Sequence, residues 1–402
     1  MYEFADPRSV RLLIAGPDLK PLAPVTWSTV KATLPRNQPG ECTATATFTP
    51  GLYELVRTPG NRVHLYHQGR WFSGGMIESR VYAQKTSVSD PLTINWTTDL
   101  AWLTSRQVYP NPGLGAEAQT TAAYTASGVA ETVMRDLVNL NAGPGALVAR
   151  QVQGLILGPA SGVGSTVSVN LPPSTYLADA LRTVADAGGN LTFDVQVVPN
   201  ETTGAPEMRF LVWGPTDVSG LVRYTPGLGN LNSLSITSEA PKATVAIVGQ
   251  EATTSDSGVV TPGLIVERAD PSADPRWGRW ETWVSSTASS QDSVADQTTH
   301  MQQDGDVALL DAAEKATVTA EVVDTPNRRY GVNYRNGYIV GMQPAAGPPV
   351  TDMVTSVELN GDADKTVTVA PTIGTGTADP DRVLIDRIEQ LERALARLQA
   401  GR

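Results

Sequence analysis

A succession of short β-rich runs, each closed by a turn residue, restricts this chain more than any other feature. Between Val10 and about Asp99 the runs are VRLLIAG (10–16), CTATATF (42–48), RVHLY (62–66), RWFSGGMIESRVYAQ (70–84) and LTINWTT (92–98). Pro35, Pro39-Gly40, Pro59-Gly60-Asn61 and Gln68-Gly69 punctuate them. Such residues end strands because they favour turn geometry or lack a backbone donor. Strands at this spacing predict a small antiparallel barrel or sandwich. DLAWLTSR (99–106) predicts a short helical turn.

The pattern then changes to α+β. SGVAETVMRDLVNLNAG (127–143) predicts a helix capped by Ser127 and stopped at Gly143-Pro144, with Val129, Val133, Met134, Leu137 and Leu140 at helical spacing. YLADALRTVADAGGNLTFDVQVV (176–198) predicts a second helix ending at Gly188-Gly189, then a strand that MRFLVWG (208–214) can pair. Strands return at LNSLSITSE (231–239) and ATVAIVGQ (243–250), and a helix is predicted around Asp304–Thr317. TVTAEVVD (317–324), YGVNY (330–334), GYIVGM (337–342) and DMVTSVELN (352–360) are strands again. YHQGRWFSGGM (66–76) and YRNGYIVGM (334–342) echo one another, as two unrelated hairpins or as two related barrels. Asn336-Gly337 is the stronger hairpin signal of the two, Gln68-Gly69 the weaker.

The end of the chain, RVLIDRIEQLERALARLQAGR (382–402), is different in kind. Leu384, Ile388, Leu391, Leu395 and Leu398 recur at alternating intervals of four and three, with Leu at d and Ile388 and Leu395 at a. Asp379-Pro380-Asp381 is a helix start signal and Gly401 a stop. A lone helix of roughly 20 residues is marginal in water. Its a/d stripe is narrower than that of a helix lying on its own domain, so self-association is expected. Thr372–Thr377 reads as a loose tether.

Composition removes several function classes. The 402 residues suffice for roughly two to four domains, and 41% hydrophobic against 18% charged residues marks a globular chain. The formal net charge is −11 and no segment concentrates Lys and Arg, so a phosphate-binding surface is not expected. Cys42 is the one cysteine, which excludes an internal disulfide, and three histidines leave little material for zinc. MYEFADPRSVRLLIAG lacks the basic start and apolar run of a signal peptide, and no apolar run approaches the roughly 18 residues of a membrane span. Synthesis in a cytoplasm, without a membrane anchor, is the expectation.

The search for chemistry assigns no catalytic residue, cofactor or metal ligand. His64 and His67 share one hairpin and His300 lies far off, without an HExxH pattern; GxSxG is absent. Gly113-Leu114-Gly115 and Gly162-Val163-Gly164 read as loop turns, not phosphate cradles. Asp304 with Asp306 reads as acid at a helix start, and Asp362 with Asp364 as turn residues, neither pair enough for a calcium cage. Trp277, Trp280 and Trp283 are the aromatic concentration and the candidate partner or glycan contacts. In a strand Trp277 and Trp283 would share one face and Trp280 the other, which favours core packing or a subunit contact over a sugar platform.

Three stretches together resemble the baseplate hub proteins of long-tailed bacteriophages, the tail-associated or minor tail proteins, in the version found in phages of actinobacteria. They are GRWFSGGMIESR (69–80) running into INWTTDLAWLTSRQVYPNP (94–112), YLADALRTVADAGGNLTFDV (176–195) followed by LGNLNSLSITSEAPKATVAIVGQ (228–250), and DTPNRRYGVNYRNGYIVGM (324–342). The resemblance implies a mainly β fold with an α+β insert: two barrel-like β domains per chain, inserted outer domains, a C-terminal coiled coil and a homotrimeric ring. On this chain it implies a first barrel at 1–115 completed by 225–250, an α+β insert at 116–224, and a second insert with a short helix at 251–317. A second barrel at 318–370, a linker at 371–381 and the coiled-coil helix at 382–402 follow. RIEQLE (387–392) resembles a three-stranded coiled-coil pattern in which Arg387 pairs with Glu392 of a neighbour, whereas Ile at a with Leu at d leans toward dimers; three is adopted because only three closes the ring. Oligomerisation thus falls to Leu384, Arg387, Ile388, Leu391, Glu392, Leu395 and Leu398.

The implied role is structural and not enzymatic, at the tail tip of the virion. The trimer would join the tail tube and distal ring proteins to other minor tail proteins or receptor-binding fibres, and DNA would pass through without specific binding. A carbohydrate-binding or cell-wall-degrading tail protein is the alternative. Truncation after Gly376, or Ile388→Asp, is predicted to lower the mass of the particle in light scattering, since charge enters the seam or the seam is lost; unchanged mass in both would contradict this.

Overall fold

The computed structural model describes residues 10–83, 90–200, 202–228, 231–250, 253–254, 260–261, 263–271, 273–286, 293–322, 328–343, 349–363 and 367–374. The heptad positions Leu384 to Leu398, with Arg387 and Glu392, lie outside the described residues. The chain divides into two compact units, 1–234 with 319–376, and 235–318 with 377–402.

The first unit is built on an antiparallel sheet. Its strands from the first hundred residues are β1 (Val10–Ala15), β2 (Pro21–Val25), β3 (Trp27–Pro35), β4 (Glu41–Thr47), β5 (Arg62–His67), β6 (Arg70–Tyr82) and β7 (Pro91–Thr98). Two strands from the far end of the chain, Val350–Asp362 and Val367–Gly374, extend it. The order is 367–374, 350–362, β3, β4, β7, β6, β5, β1, β2. At the β2 edge, Pro21 and Pro24 remove donors that another strand would need.

Turn chemistry explains the early hairpins. Gln68 and Gly69 both adopt left-handed φ (50° and 77°), the two-residue turn whose twist suits β5 and β6. The signal that looked stronger, Asn336-Gly337, forms a turn closed by Tyr338 N on Arg335 O but joins no pair of strands. Residues 329–334 form a compact turn of their own, so only the following strand, Tyr338–Met342, enters a sheet. It pairs antiparallel with 350–362 and parallel with Thr216–Asp217 and Arg223–Tyr224. Gly75 lets β6 and β7 cross closely, since a Cβ there would lie 1.7 Å from the Thr97 carbonyl oxygen.

The α+β insert has its own core. Helices Ala130–Asn141 and Leu177–Ala187 pack together, and Thr192–Pro199 pairs with Pro206–Trp213. Leu137, Leu181, Val184, Phe193 and Phe210 belong to one buried cluster that also takes in Leu100 and Leu103. A fully buried Leu or Phe contributes about 1.5–3 kcal/mol. Ser127 does not cap the first helix; it lies in the strand Tyr124–Val129. The first helical donors are met instead by loop carbonyls, Ala130 N to Ser165 O and Glu131 N to Val163 O. The Gly162-Val163-Gly164 loop in turn wraps the carboxylate of Glu131, which accepts from Ser161 N (2.8 Å) and Val163 N (2.9 Å).

A polar clamp fixes insert to sheet. From the β3–β4 turn, Arg36 donates to Thr192 Oγ1 (2.9 Å) and to the carbonyls of Asn190 and Leu191 (2.8 and 2.9 Å). Asn37 donates to Leu191 O and accepts from Phe193 N (3.0 and 2.9 Å). Asn336 donates to Leu34 O, and Trp213 Nε1 to Asn336 O (2.8 and 2.9 Å).

In the second unit, Val245–Gly249 lies between Ile265–Ala269, antiparallel, and Glu281–Ser285, parallel. Val245–Gly249, which the resemblance assigns to the first barrel, is thus the central strand of a different sheet. The helix Val294–Ala312 covers one face. It starts ten residues ahead of the expected Asp304, so Asp304 and Asp306 are mid-helix and Asp306 receives the fork of Arg268 (2.8 and 2.9 Å). Gly305 permits close packing: a Cβ there would meet Arg268 Cγ at 2.7 Å.

Several ionisable groups are buried around β5 and at Asp99, the residue that follows β7. Arg62 and Asp99 form an ion pair with almost no exposure. Burial raises Asp99 to about 6 against the pull of Arg62, and raises Asp194 to about 6 against hydrogen bonds from Gln196 and Val195 N. Burial, then the Arg62 charge, lowers His64 to about 3; burial, then Arg329, lowers His67 to about 4. Below pH 6.5 the unfolded histidines take protons that the folded ones refuse, so their contribution is lost as pH falls. Between about 6 and 3.8 the folded Asp99 and Asp194 hold protons more tightly than when unfolded, which adds stability as pH falls. His64→Leu removes one acid-labile contribution. Its loss of unfolding free energy between about pH 7 and pH 5 is predicted to be smaller than wild type by about 2 kcal/mol in urea titrations. An identical acid loss in both proteins would contradict the assignment.

Candidate functional site

Strict alternation along 350–362, β3, β4 and β7 gives this part of the first sheet one apolar and one polar face. The register aligns Glu358, Thr33, Glu41 and Thr97 in one row, Asn360, Lys31, Thr43 and Asn95 in the next, and Asp362, Thr29, Thr45 and Thr93 in a third. All are partly or fully exposed. The interleaved rows, Leu359, Ala32, Cys42, Trp96 and Gly361, Val30, Ala44, Ile94, are buried. Period-two side-chain direction makes each strand face both ways.

The polar rows form a plate of hydroxyls and amides with little positive charge. Lys31 is the single cation of the three rows, and its ammonium lies 3.3 Å from Glu358. Glu41 and Asp362 complete the acids of the rows. A shallow hollow of about 360 Å³ is lined by Lys31, Thr33, Glu41, Glu78 and Asn95 among others. Gripping a phosphate backbone takes an array of Lys and Arg that can displace counterions. This plate offers the opposite, hydrated neutral groups under a net negative field.

The groups singled out for chemistry do not converge. His64 and His67 are buried in β5, and neither nitrogen of His64 has a hydrogen-bond partner among the described residues. His300 is exposed on the helix of the second unit. Cys42 Sγ lies 3.3 Å from Ser73 Oγ, and burial pushes its thiol up to about 12. Among the described residues no group of three His, Cys, Asp or Glu is placed to hold a metal, and no helix is long and apolar enough to cross a membrane.

The tryptophans depart from the expected geometry. Trp283 alone is in a strand; Trp277 ends the 3-10 turn Pro275–Trp277 and Trp280 precedes the strand. All three are exposed (39%, 55% and 59% for Trp277, Trp280 and Trp283), not packed in the core of the unit. The plate itself was not singled out from the sequence. Its signal is present: Thr, Lys, Glu, Asp or Asn at every second position of TVKAT, CTATAT, TINWT and VELNGD.

Residues 14–375 match the family described as siphovirus ReqiPepy6 Gp37-like protein. No curated protein matches the sequence significantly. Among solved structures, the chain is similar to the tail protein from Neisseria meningitidis MC58, at 12% identity and TM-score 0.56, over 91% of this chain and 97% of that one. The 43 kDa tail protein of prophage MuSo2 from Shewanella oneidensis gives 11% identity and TM-score 0.56, over 91% and 98%. Prophage tail protein gp18 from Listeria monocytogenes EGD-e gives 13% and 0.50, over 96% and 99%. At these identities the likeness is one of fold. The chain therefore belongs to the siphovirus ReqiPepy6 Gp37-like protein family, and its fold is that of phage tail proteins.

Proposed function

We propose that this protein is a structural hub at the tail tip of a long-tailed bacteriophage, and that DNA leaves the virion past its polar sheet face. In this proposal three chains assemble through the 382–402 helix, with two barrel-like regions per chain making a sixfold collar. The collar joins the tail tube and distal ring to host-binding parts. Its work is mechanical and electrostatic, and no catalytic step is invoked.

Family membership and the shared tail-protein fold support the setting. The observation that carries the role is the plate of Thr29, Lys31, Thr33, Glu41, Thr43, Thr45, Thr93, Asn95, Thr97, Glu358, Asn360 and Asp362, with its one lysine beside a carboxylate. A wall of this kind hydrates well and repels phosphate, so a duplex slides without sticking.

The test is charge reversal. Wild-type protein is expected to leave duplex DNA unretained on a filter at about 0.15 M salt, whereas the combined change Glu41→Lys, Glu78→Lys and Glu358→Lys is expected to retain it and, in phage particles, to slow genome release. Retention by the wild type, or unchanged release from particles carrying the three lysines, would sink the proposal.

A further inference from the structure

In the first unit, sheet and insert meet around a cavity of about 30 Å³. Leu34 and Arg36 from the β3–β4 turn, Trp71 from β6 and Asp194 from the insert line it. Arg335 and Asn336, just ahead of the strand Tyr338–Met342, complete the wall. One water molecule takes about 10–15 Å³ of such space, so there is room for about two.

Two of these side chains keep a buried polar atom that no described residue meets, Trp71 Nε1 and Asn336 Oδ1. The Asn336 amide is held from turning over, because Nδ2 donates to Leu34 O at 2.8 Å and reversal would set two oxygens together. Its backbone oxygen is taken by Trp213 Nε1 at 2.9 Å. Asn336 is only 7% exposed, so bulk water does not serve its Oδ1. Folded proteins seldom leave a buried donor or acceptor unmet. These two share one cavity without bonding each other.

We propose that the cavity is an internal water site, where bound water accepts from Trp71 Nε1, donates to Asn336 Oδ1 and so completes the joint between sheet and insert. The lining disfavours other occupants. Arg36 and Arg335 oppose a cation, and the Asp194 carboxylate opposes an anion. An apolar guest would leave both polar atoms unmet. Water is small, neutral and able to donate and accept at once. Asp194 accepts from Val195 N and Gln196 Nε2 at 2.8 and 2.9 Å. A carboxylate has about four acceptor positions, which leaves Asp194 free to hold the second water. Burial, then the Asp194 charge, raises Tyr330, so its hydroxyl stays a donor on the same wall. The inference concerns the interior of the first unit and is independent of the hub proposal.

The test is a crystal structure of the full chain, with a second crystal held under xenon pressure. Water density within hydrogen-bond distance of Trp71 Nε1 and Asn336 Oδ1 is expected. No xenon is expected in the cavity, since the gas enters dry apolar cavities. In solution, the indole N–H signal that Trp71→Phe removes is expected to show a cross-relaxation peak at the water frequency in the wild type. Xenon in the cavity, an atom with the contacts of an ion, a direct Trp71–Asn336 bond, or no density beside either atom would overturn the proposal. A Trp71 indole without a water peak would do the same. The crystals need no variant, so they decide the matter even where Trp71→Phe fails to fold.

Discussion

The ladder between Trp27–Pro35 and Val350–Asp362 is the contact on which the structure of the first unit depends. It pairs Pro35 with Ser356 through to Thr29 with Asp362, joining segments at opposite ends of the sequence. Closing so long a loop is less unfavourable than its length implies, because the entropic term grows only logarithmically. The register is set by burial: a slip of one residue would turn Val357 and Leu359 to solvent and Glu358 and Asn360 into the core. Asn336, donating to Leu34 O at the end of the ladder, and Trp213, donating to Asn336 O, tie the insert to the same point.

That register also makes the candidate surface. Each strand contributes only three polar side chains, and no strand alone has a site. Adjacent strands in phase turn the alternating Thr, Asn, Glu and Lys into continuous rows, and the same alternation places Trp96, Ile94, Leu359 and Val30 beneath. The hydrophobic effect holds the sheet together from one side and leaves the other free to be polar. Charge that is buried elsewhere, Arg62 with Asp99, is kept as a pair, so it adds nothing to the field over the plate. The lone thiol is likewise out of play beneath it, held protonated by burial.

Local patterns in the sequence were legible where the governing physics is local. The early strands 10–15, 41–47, 62–67, 70–82 and 91–98, the helical turn after Asp99, the insert's two helices and their stops at Gly143 and Gly188 follow from spacing and turn residues, whereas Pro21–Val25, Trp27–Pro35 and the helix Pro50–Arg57 are not among the runs that those signals pick out. What failed depended on distant partners. Val245–Gly249 reads as a strand, but its neighbours 265–269 and 281–285 decide which sheet it joins. Ser127 reads as a cap, yet Ser165 O and Val163 O satisfy the helix end while Ser127 pairs in a strand. Asn336-Gly337 has hairpin chemistry without a preceding strand to pair. Spacing alone puts Trp277, Trp280 and Trp283 in one strand, whereas the turn at Pro275 keeps Trp277 and Trp280 ahead of the strand that holds Trp283. The polar plate was written in period two along four segments, and it becomes a surface only once Val350–Asp362 is known to lie beside Trp27–Pro35.

The most direct measurement places a probe on the plate. A photo-crosslinker attached to Asn95→Cys, at the middle of the rows, leaves Cys42 unmodified because that thiol is buried and protonated at working pH. In phage particles triggered to release their genome, the account predicts crosslinks to DNA from Asn95→Cys and none from Tyr176→Cys, an exposed position on the insert. Crosslinks from the insert position, with none from the plate, would contradict the account that DNA leaves along this face.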